Sequence, residues 1–586
     1  MKTKEQTIEL LEALARLLEL KGENPFKIRA YTNAARALET FSGNFQATVA
    51  EDKLGELNGI GEAITRKISE YVQTGRLEYF ETLQAEFPET ILELFEITGL
   101  GAKKVKALYE RLGVKTIAEL ELASKDGRIA ALPGFGSRTA ANLLQAIERR
   151  RKHFGRFLLS EAKIWSDEFL GHFEGHPDVS QISSGGSFRR GRETIGDLDF
   201  LIATRHPQQI IEHFLSHGAI DRILAQGETK ASVLLNHGIQ ADLRVVASIE
   251  FPFALCYFTG SKEHNVTLRG RALQKGWTLN EYRLAPDPGS KRVPEPIPEI
   301  QTEADLYRAL GLAYIPPELR ENYGEIEAAE QGELPKLIEL QNLRGAFHSH
   351  TDESDGQNTL REMAEGAQEL GLEYLGIADH SKSSFQAHGL DEDRLLKQVE
   401  QIRELNEGFD EGFRIFCGVE CDILKDGTLD FSDEILAQLD FVVASVHASF
   451  TMPEKEMTKR IICAMQNRYV TMLGHPTGRL LLSREPYQVD LGEVIKAAAQ
   501  TGTIIELNAN PRRLDLDWRF WKFAREQGVR CAINPDAHSV LRLQDLWFGI
   551  QSARKGWLTR EDVVNCLPLN EVKRVLQQKS APQGRP

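Results

Sequence analysis

The sequence predicts a multidomain chain of three successive textures: an all-α N-terminal part, an α+β middle, and a C-terminal distorted (β/α) barrel. Three observations predict it. A 586-residue chain is too long for one hydrophobic core and should divide into about three to five domains of ~150 residues. Up to about residue 155 the apolar positions keep helical spacing around repeated Gly-x-Gly turns. Beyond about residue 341 short apolar runs alternate with helical patterns, as parallel strands and their crossover helices do.

Composition excludes several classes. The chain is 41% hydrophobic and 27% charged, the balance of a globular protein in water, and no window approaches the ~20 uninterrupted apolar residues of a membrane span. No membrane partner is expected. The opening MKTKEQTIELLEALARLLEL reads as an amphipathic helix and not a signal peptide, so the expected address is cytoplasmic. Six irregularly spaced cysteines argue against a disulfide framework. Cys417 and Cys421 sit four apart without a second pair, which favours buried strand cysteines over a zinc site.

The helical part repeats one pattern: "LNGIGEAITRKI" from Leu57, "ITGLGAKKVKAL" from Ile97 and "LPGFGSRTAANL" from Leu132. The glycine pairs Gly59 and Gly61, Gly99 and Gly101, and Gly134 and Gly136 each precede a helical period, as a tight turn feeding a helix N-terminus requires. Amides left free at such a turn can hold a phosphate without reading a base. The net charge of −15 does not oppose this, because a sum does not locate charges: residues 101–160 hold 13 Lys/Arg against 5 Asp/Glu. Lys103, Lys104, Lys106, Arg138 and the run Arg149, Arg150, Arg151, Lys152 lie near the turns. Binding to a DNA backbone is predicted.

From about residue 155 strands with period-two alternation follow, with a hairpin turn at His237-Gly238. The Pro-rich "DPGSKRVPEPIPE" reads as an ordered loop. The acidic stretch 318–341 is expected to connect domains, and "QQKSAPQGRP" to form a disordered tail.

"GGSFRRGRETIGDLDFLIA", residues 185–203, contains the first constellation. Asp197 and Asp199 project from one side of a strand, roughly 7 Å apart. Two anions so close repel unless a cation lies between them. Asp242, in "QADLRVV", can add a third carboxylate from an adjacent strand, a set that suits Mg²⁺. An isolated Asp-x-Asp is also what a solvated edge strand shows. The preceding turn argues for a site: Gly186 allows close backbone approach, Ser187 offers a hydroxyl, and Arg189 or Arg190 can meet phosphate oxygens.

The second constellation follows the apolar runs "AFHSH", "YLGIADH", "FCGVECD", "FVVASVH", "TMLGH", "TIIELNAN" and "CAINPDAH". They place His348, His350, Asp355, His380, Glu420, His447, His475, Asp536 and His538 at or near strand ends, on one face of a barrel. A lone histidine after a strand is usually structural; six with three carboxylates point to a metal cluster. Imidazole and carboxylate without thiolate favour two or three ions of Mn²⁺, Zn²⁺ or Fe²⁺, and such clusters hydrolyse phosphoesters.

Residues 185–203 resemble the nucleotidyltransferase signature of the family X DNA polymerases, relatives of DNA polymerase beta. The resemblance implies that Asp197, Asp199 and Asp242 bind catalytic Mg²⁺ or Mn²⁺, and that Gly186, Ser187, Arg190 and Gly196 receive the triphosphate of a dNTP. In "CYFTGSKEHNVTLRGRA", Tyr257, Phe258 and Gly260 match the sugar-contacting turn, Asn265 a minor-groove contact to the incoming nucleotide, and Arg269 a template-side contact. Lys262 stands where the beta-type enzymes have an acid. The N-terminal repeats resemble that family's helix-hairpin-helix elements, and Lys67 matches the Schiff-base position of its 5′-deoxyribose-phosphate lyases. Ala63 replaces a lysine often found four residues earlier.

The second constellation resembles the PHP (polymerase and histidinol phosphatase) domain that bacterial family X members carry at the C-terminus. The implied organisation is 1–88 helical lyase-like domain, 89–154 fingers, 155–250 palm, 251–317 thumb, 318–341 linker, 342–575 PHP domain and 576–586 tail. The implied activity is gap-filling synthesis on gapped or nicked duplex DNA, with 3′–5′ exonuclease or 3′-end phosphoesterase action, by a monomer. Two alternatives stay open: a small-molecule phosphatase with a vestigial polymerase half, and a non-catalytic scaffold binding DNA ends.

Overall fold

The computed structural model describes residues 4–41, 45–57, 59–97, 99–153, 155–290 and 296–580. The chain divides into two compact units, Met1–Phe154 and Gly155–Pro586.

The first unit is helical. Asn24 caps the second helix by accepting the Phe26 N–H at 2.9 Å, with Pro25 in the first turn, where its missing donor costs nothing. Helices α1 (Lys4–Lys21) and α2 (Pro25–Thr40) pack on α3 (Glu62–Thr74), α4 (Ala102–Leu112) and α5 (Ser137–His153) around Leu14, Leu17, Ile68, Val105 and Leu143. The three Gly-x-Gly turns lead into α3, α4 and α5. The first glycine of each takes φ +98, +92 and +86 at Gly59, Gly99 and Gly134, a region that an L side chain rarely enters. Gly61 and Gly101 are the N-caps of α3 and α4, so the first two amides beyond each have no intrahelical acceptor, while the third donates to the glycine carbonyl. The side chains of Arg149, Arg150 and Lys152 lie outside the described residues.

The second unit begins with a five-stranded sheet. Its strands β1 (Gln181–Ser184), β2 (Asp197–Ala203), β3 (Ile220–Gln226), β4 (Lys230–Leu235) and β5 (Gln240–Val246) lie in the order β1-β2-β5-β4-β3. β2 and β5 run parallel, with Asp199 directly opposite Asp242. The predicted hairpin turn joins β4 to β5, with Gly238 at φ +84. Helices α6 (Leu159–His172) and α7 (Pro207–Leu215) cover one face through Phe169 and Phe214, which meet Phe200 of the sheet. The same core takes in Leu514 and Phe548 from the C-terminal region.

Helices α8 (Phe251–Thr259) and α9 (Lys262–Gln274) follow. The Pro-rich loop falls partly outside the described residues, at 291–295. The stretch 318–341 is folded and is not a loose connection. It contains α10 (Glu325–Gln331), and Leu319, Ile326, Ala329 and Leu337 share a core with Trp277 and Tyr307. Its many acidic residues hid the four apolar positions that anchor it.

The C-terminal region is the expected distorted barrel. Strands β6 (Gly345–Ser349), β7 (Tyr374–Ile377) and β8 (Arg414–Cys417) form one parallel sheet. Strands β9 (Glu420–Asp422), β10 (Val443–Ser445), β11 (Met472–Leu473), β12 (Ile504–Asn508) and β13 (Cys531–Asn534) form another. Single bridges, His380 to Glu420 and Ser349 to Ala537, join the two sheets. Cys417 and Cys421 are buried in β8 and β9, and burial pushes both thiols up to about 12. Helix α11 (Leu360–Glu369) starts with a capping box between Thr359 and Glu362. Helix α12 (Leu491–Thr501) is capped by Asp490. Helix α13 (Leu546–Lys555) lies against the barrel, and α14 (Leu569–Ser580) occupies the start of the expected tail, burying Val572 and Leu576. Residues 581–586 of that tail lie outside the described residues. Among the described residues, no helix is long and apolar enough to cross a membrane.

Candidate active sites

In the sheet of the second unit, strand register brings three carboxylates together. Asp197 and Asp199 lie two apart on β2, and Asp242 faces Asp199 across the parallel pair. Burial, reinforced by Asp197 and Asp242, pushes the Asp199 carboxyl up to about 7 against the pull of Arg244 and Arg190. Asp197 is shifted upward for the same reasons, burial first and then Asp242. The set therefore repels itself and fits an added cation, and its all-oxygen donors suit a hard ion.

Two residues outside the predicted set steady it. Ser232, opposite Asp242 on β4, donates its hydroxyl to Asp242 Oδ1, and Gln240 Nε2 donates to Oδ2 at 2.9 Å. Both were findable: Gln240 is two residues from Asp242 on one strand face, and Ser232 stands on the neighbouring strand.

The glycine turn closes over the carboxylates. Gly185 N–H donates to the Asp199 carbonyl at 2.7 Å, and a Cβ on Gly186, whose φ is +57, would stand 2.2 Å from Asp199 Oδ2. Only glycine fits between this loop and the strand. Ser187 lies in the four-residue helical turn Gly186–Arg189, and Gly196 immediately precedes β2. Arg190 donates from Nη1 to the Thr259 carbonyl beside Gly260, so the loop and the downstream turn form one wall. Tyr257, Asn265 and Arg269 share a small cleft with Phe253 and Asn280. There Asn265 Nδ2 donates to the Tyr257 carbonyl at 2.7 Å, and Phe258 stacks under the Arg244 guanidinium.

In the barrel all nine predicted residues converge. Glu420 lies at the centre: His475 Nε2 is 2.8 Å, His380 Nδ1 2.9 Å, His447 Nε2 3.2 Å and His348 Nε2 3.4 Å from its oxygens. Asp536 stands 3.2 Å from His350 Nε2, and Asp355 stands 3.3 Å from His538 Nε2. Their potential ligand atoms form four overlapping groups, each within 4.8 Å. His348, His475 and Asp536 hold φ of +55, +45 and +50, the left-handed region that a non-glycine residue keeps only when its surroundings impose it.

Cation binding is testable on the buried atoms. His348 Nε2, both ring nitrogens of His350, His447 Nε2 and Glu420 Oε1 are buried without a hydrogen-bond partner. Each such atom costs roughly 1–3 kcal/mol when nothing polar meets it. Burial, with His538 and His380 alongside, holds the His350 imidazole down to about 3, the neutral form that a metal ligand needs. The residues fit a cluster of divalent cations.

The positions of several ligands are set from behind by residues that sequence reasoning missed. Glu506 accepts from His348 Nδ1 at 2.6 Å, and Asp422 from His447 Nδ1 at 3.1 Å, which fixes each ring and frees its other nitrogen. Asn508 and Arg513 hold Asp536 Oδ2 at 3.1 and 3.2 Å. The run "TIIELNAN" contains Glu506 and Asn508, but a hydrogen-bond partner behind a ligand has no spacing rule of its own. Asp379, wholly buried, accepts from the Thr351 N–H, the Thr351 and Ser354 hydroxyls and Gln398, anchoring the loop that carries Asp355.

In the helical unit Lys67 is half-buried, with Nζ 3.3 Å from the Ala63 carbonyl and 5.0 Å from the Tyr79 ring centre.

Oxygen donors alone in one centre, and imidazole with carboxylate in the other, define a chain built for two separate metal-dependent reactions on phosphate esters. Family models match four segments of the chain. Residues 254–321 match the DNA polymerase beta thumb, 346–510 the PHP domain, 2–77 a helix-hairpin-helix domain, and 91–149 a SAM-like helix-hairpin-helix tandem. The chain is 39% identical over 577 residues, 98% of its length, to the DNA polymerase/3′-5′ exonuclease PolX of Bacillus subtilis, covering 99% of that protein. It belongs to the family X DNA polymerases that carry a C-terminal PHP domain. The barrel region alone is 30% identical over 249 residues to a probable phosphatase of Thermoanaerobacter sp. (strain X514), covering 40% of this chain and 96% of that one. A probable phosphatase of Acetivibrio thermocellus is 32% identical over 200 residues, 33% of this chain and 78% of its own.

Proposed function

We infer that the protein is a DNA-directed DNA polymerase with a 3′–5′ exonuclease, acting in short-gap repair synthesis. The observation that carries the polymerase reading is the in-register pairing of Asp199 with Asp242 beneath the Gly186 loop. Asp197, Asp199 and Asp242 hold Mg²⁺ or Mn²⁺, which supplies Lewis acidity toward the attacking 3′ hydroxyl and the leaving pyrophosphate. Gly186, Ser187 and Arg190 receive the triphosphate of the dNTP; Tyr257, Phe258 and Gly260 meet its sugar, and Asn265 its minor-groove edge. Arg269 faces the template. The glycine turns at Gly59 and Gly61, Gly99 and Gly101, and Gly134 and Gly136 hold duplex backbone through free amides.

In the barrel, His348, His350, Asp355, His380, Glu420, His447, His475, Asp536 and His538 hold two or three Mn²⁺, Zn²⁺ or Fe²⁺ ions, which supply the acidity that activates water beside a phosphate. Arg513, beside Asp536, offers a guanidinium to the scissile phosphate. Because relatives of the barrel alone bear the name of phosphatases, release of phosphate from a 3′-phosphate end is the second reading for this half. Lys67 is the nucleophile if the helical unit acts as a lyase.

A one-nucleotide-gapped duplex with one dNTP and Mg²⁺ or Mn²⁺ tests the whole. Incorporation with 3′-terminal release is expected. Release without incorporation would leave only the hydrolase, and a gel shift without turnover would leave a scaffold.

A further inference from the structure

Arg190 does not face the nucleotide loop unaided. Its Nε donates to Glu321 Oε1 at 3.0 Å and its Nη1 to the Thr259 carbonyl, while Nη2 makes no hydrogen bond among the described residues. Glu321 is shared. Its other oxygen lies 3.3 Å from Arg192 Nη1, and Oε1 also accepts from Lys555 Nζ at 2.6 Å. Lys555 belongs to α13, on the barrel side, and is fully buried. The same ammonium donates to the Arg190 carbonyl at 2.9 Å. Helix α13 touches the loop a second time where Gln551 lies against Gly191.

We propose that Lys555 and Glu321 are positioning residues of the polymerase, through which the C-terminal domain fixes Arg190 for the dNTP triphosphate. This rests on reading Arg190 as the triphosphate-binding arginine. One carboxylate faces three cations, so it orients the guanidinium without neutralising the cluster, and Nη2 stays available to a phosphate oxygen. With Lys555 gone, Glu321 would be compensated by Arg190 and Arg192 alone and would draw Arg190 away from the substrate. Glu321 is set low, to about 2, since the Lys555 and Arg190 charges outweigh its burial. A purely structural role for Lys555 predicts lost stability without a dNTP-specific change, because removing one partner of a buried ion pair weakens the fold and both activities alike.

The test is dNTP-dependent extension of the gapped duplex by the full-length protein, with 3′ hydrolysis as the measure of a folded barrel. Lys555→Met should raise KM for dNTP about tenfold, change kcat less than about twofold, and leave 3′ hydrolysis intact. In an Arg190→Ala background it should add nothing, because both act through one guanidinium. If Lys555→Met fails to fold, Glu321→Gln with Lys555→Met removes the fully buried ammonium and its carboxylate together, leaves only the partly exposed Arg190 and Arg192 guanidiniums, and should raise KM alike. An unchanged KM in the folded variant, or an effect that multiplies fully with Arg190→Ala, overturns the proposal. An unchanged KM in Arg190→Ala itself would instead sink the reading of Arg190 on which it rests.

Discussion

The two centres of this chain handle anionic crowding in opposite ways. In the β2–β5 pair three carboxylates face one another with no imidazole between them, and Asp199 is pushed up to about 7. In the barrel, imidazoles stand between the carboxylates: Asp355, although burial opposes it, is held down to about 2 by His538 and His350, and Glu420 and Asp536 are held below the ordinary carboxylate range. The first centre is positioned by strand register but leaves its carboxylates repelling one another. The second is preorganised by its own charges and by Glu506 and Asp422 behind the rings.

The sharpest way to break this contrast is to delete one side chain from each centre. Asp242→Ala should lower primer extension at least about 10³-fold while 3′ hydrolysis persists, and His350→Ala should do the reverse. Loss of both activities in either variant would refute separate sites. Next in size is Gly186→Ala, whose Cβ cannot coexist with Asp199 Oδ2. Extension should fall about 10²-fold with hydrolysis unchanged, measured on the same gapped duplex.

A smaller effect sharpens the electrostatic half of the comparison. The folded pKa of Asp199 lies above its ordinary 3.8, at about 7, so the metal-free fold keeps a proton that the unfolded chain releases. Its contribution to stability therefore falls as pH rises between those two values and stays low above them. Asp199→Asn should stabilise the metal-free protein at pH 8 by about 1–3 kcal/mol and make little difference at pH 4. Thermal melts in chelator read this directly, and added Mg²⁺ should abolish the gain. Equal gains at both pH values would show that charge repulsion is not the cause. The smallest effect concerns neither centre: Gly99→Ala, strained at φ +92, should weaken duplex binding about two- to fivefold at low salt, by equilibrium titration.

Much of both sites was legible because their residues obey short-range rules. The two-residue period of a strand puts Asp197 beside Asp199, and ligands that follow apolar runs collect at one end of a parallel barrel. Residues that serve another residue escaped. Glu506 and Asn508 lie in a run that was noticed, yet nothing in the spacing says that one orients His348 and the other Asp536. The stretch 318–341 looked like a connection because acidic residues outnumber its apolar ones, although Leu319, Ile326, Ala329 and Leu337 are enough to fold it into a core.

By itself the chain's order of residues determined the helical, α+β and barrel textures, the three glycine turns, and which carboxylates and imidazoles stand as candidates at strand ends, because periodicity and local backbone demands act over a few residues. Only the tertiary structure decided that Asp242 stands in register with Asp199, that Glu420 is the hub of five histidines, and that Lys555 reaches Glu321 across 234 positions. Those meetings depend on which buried faces pack together, and packing is settled by the summed fit of whole domains.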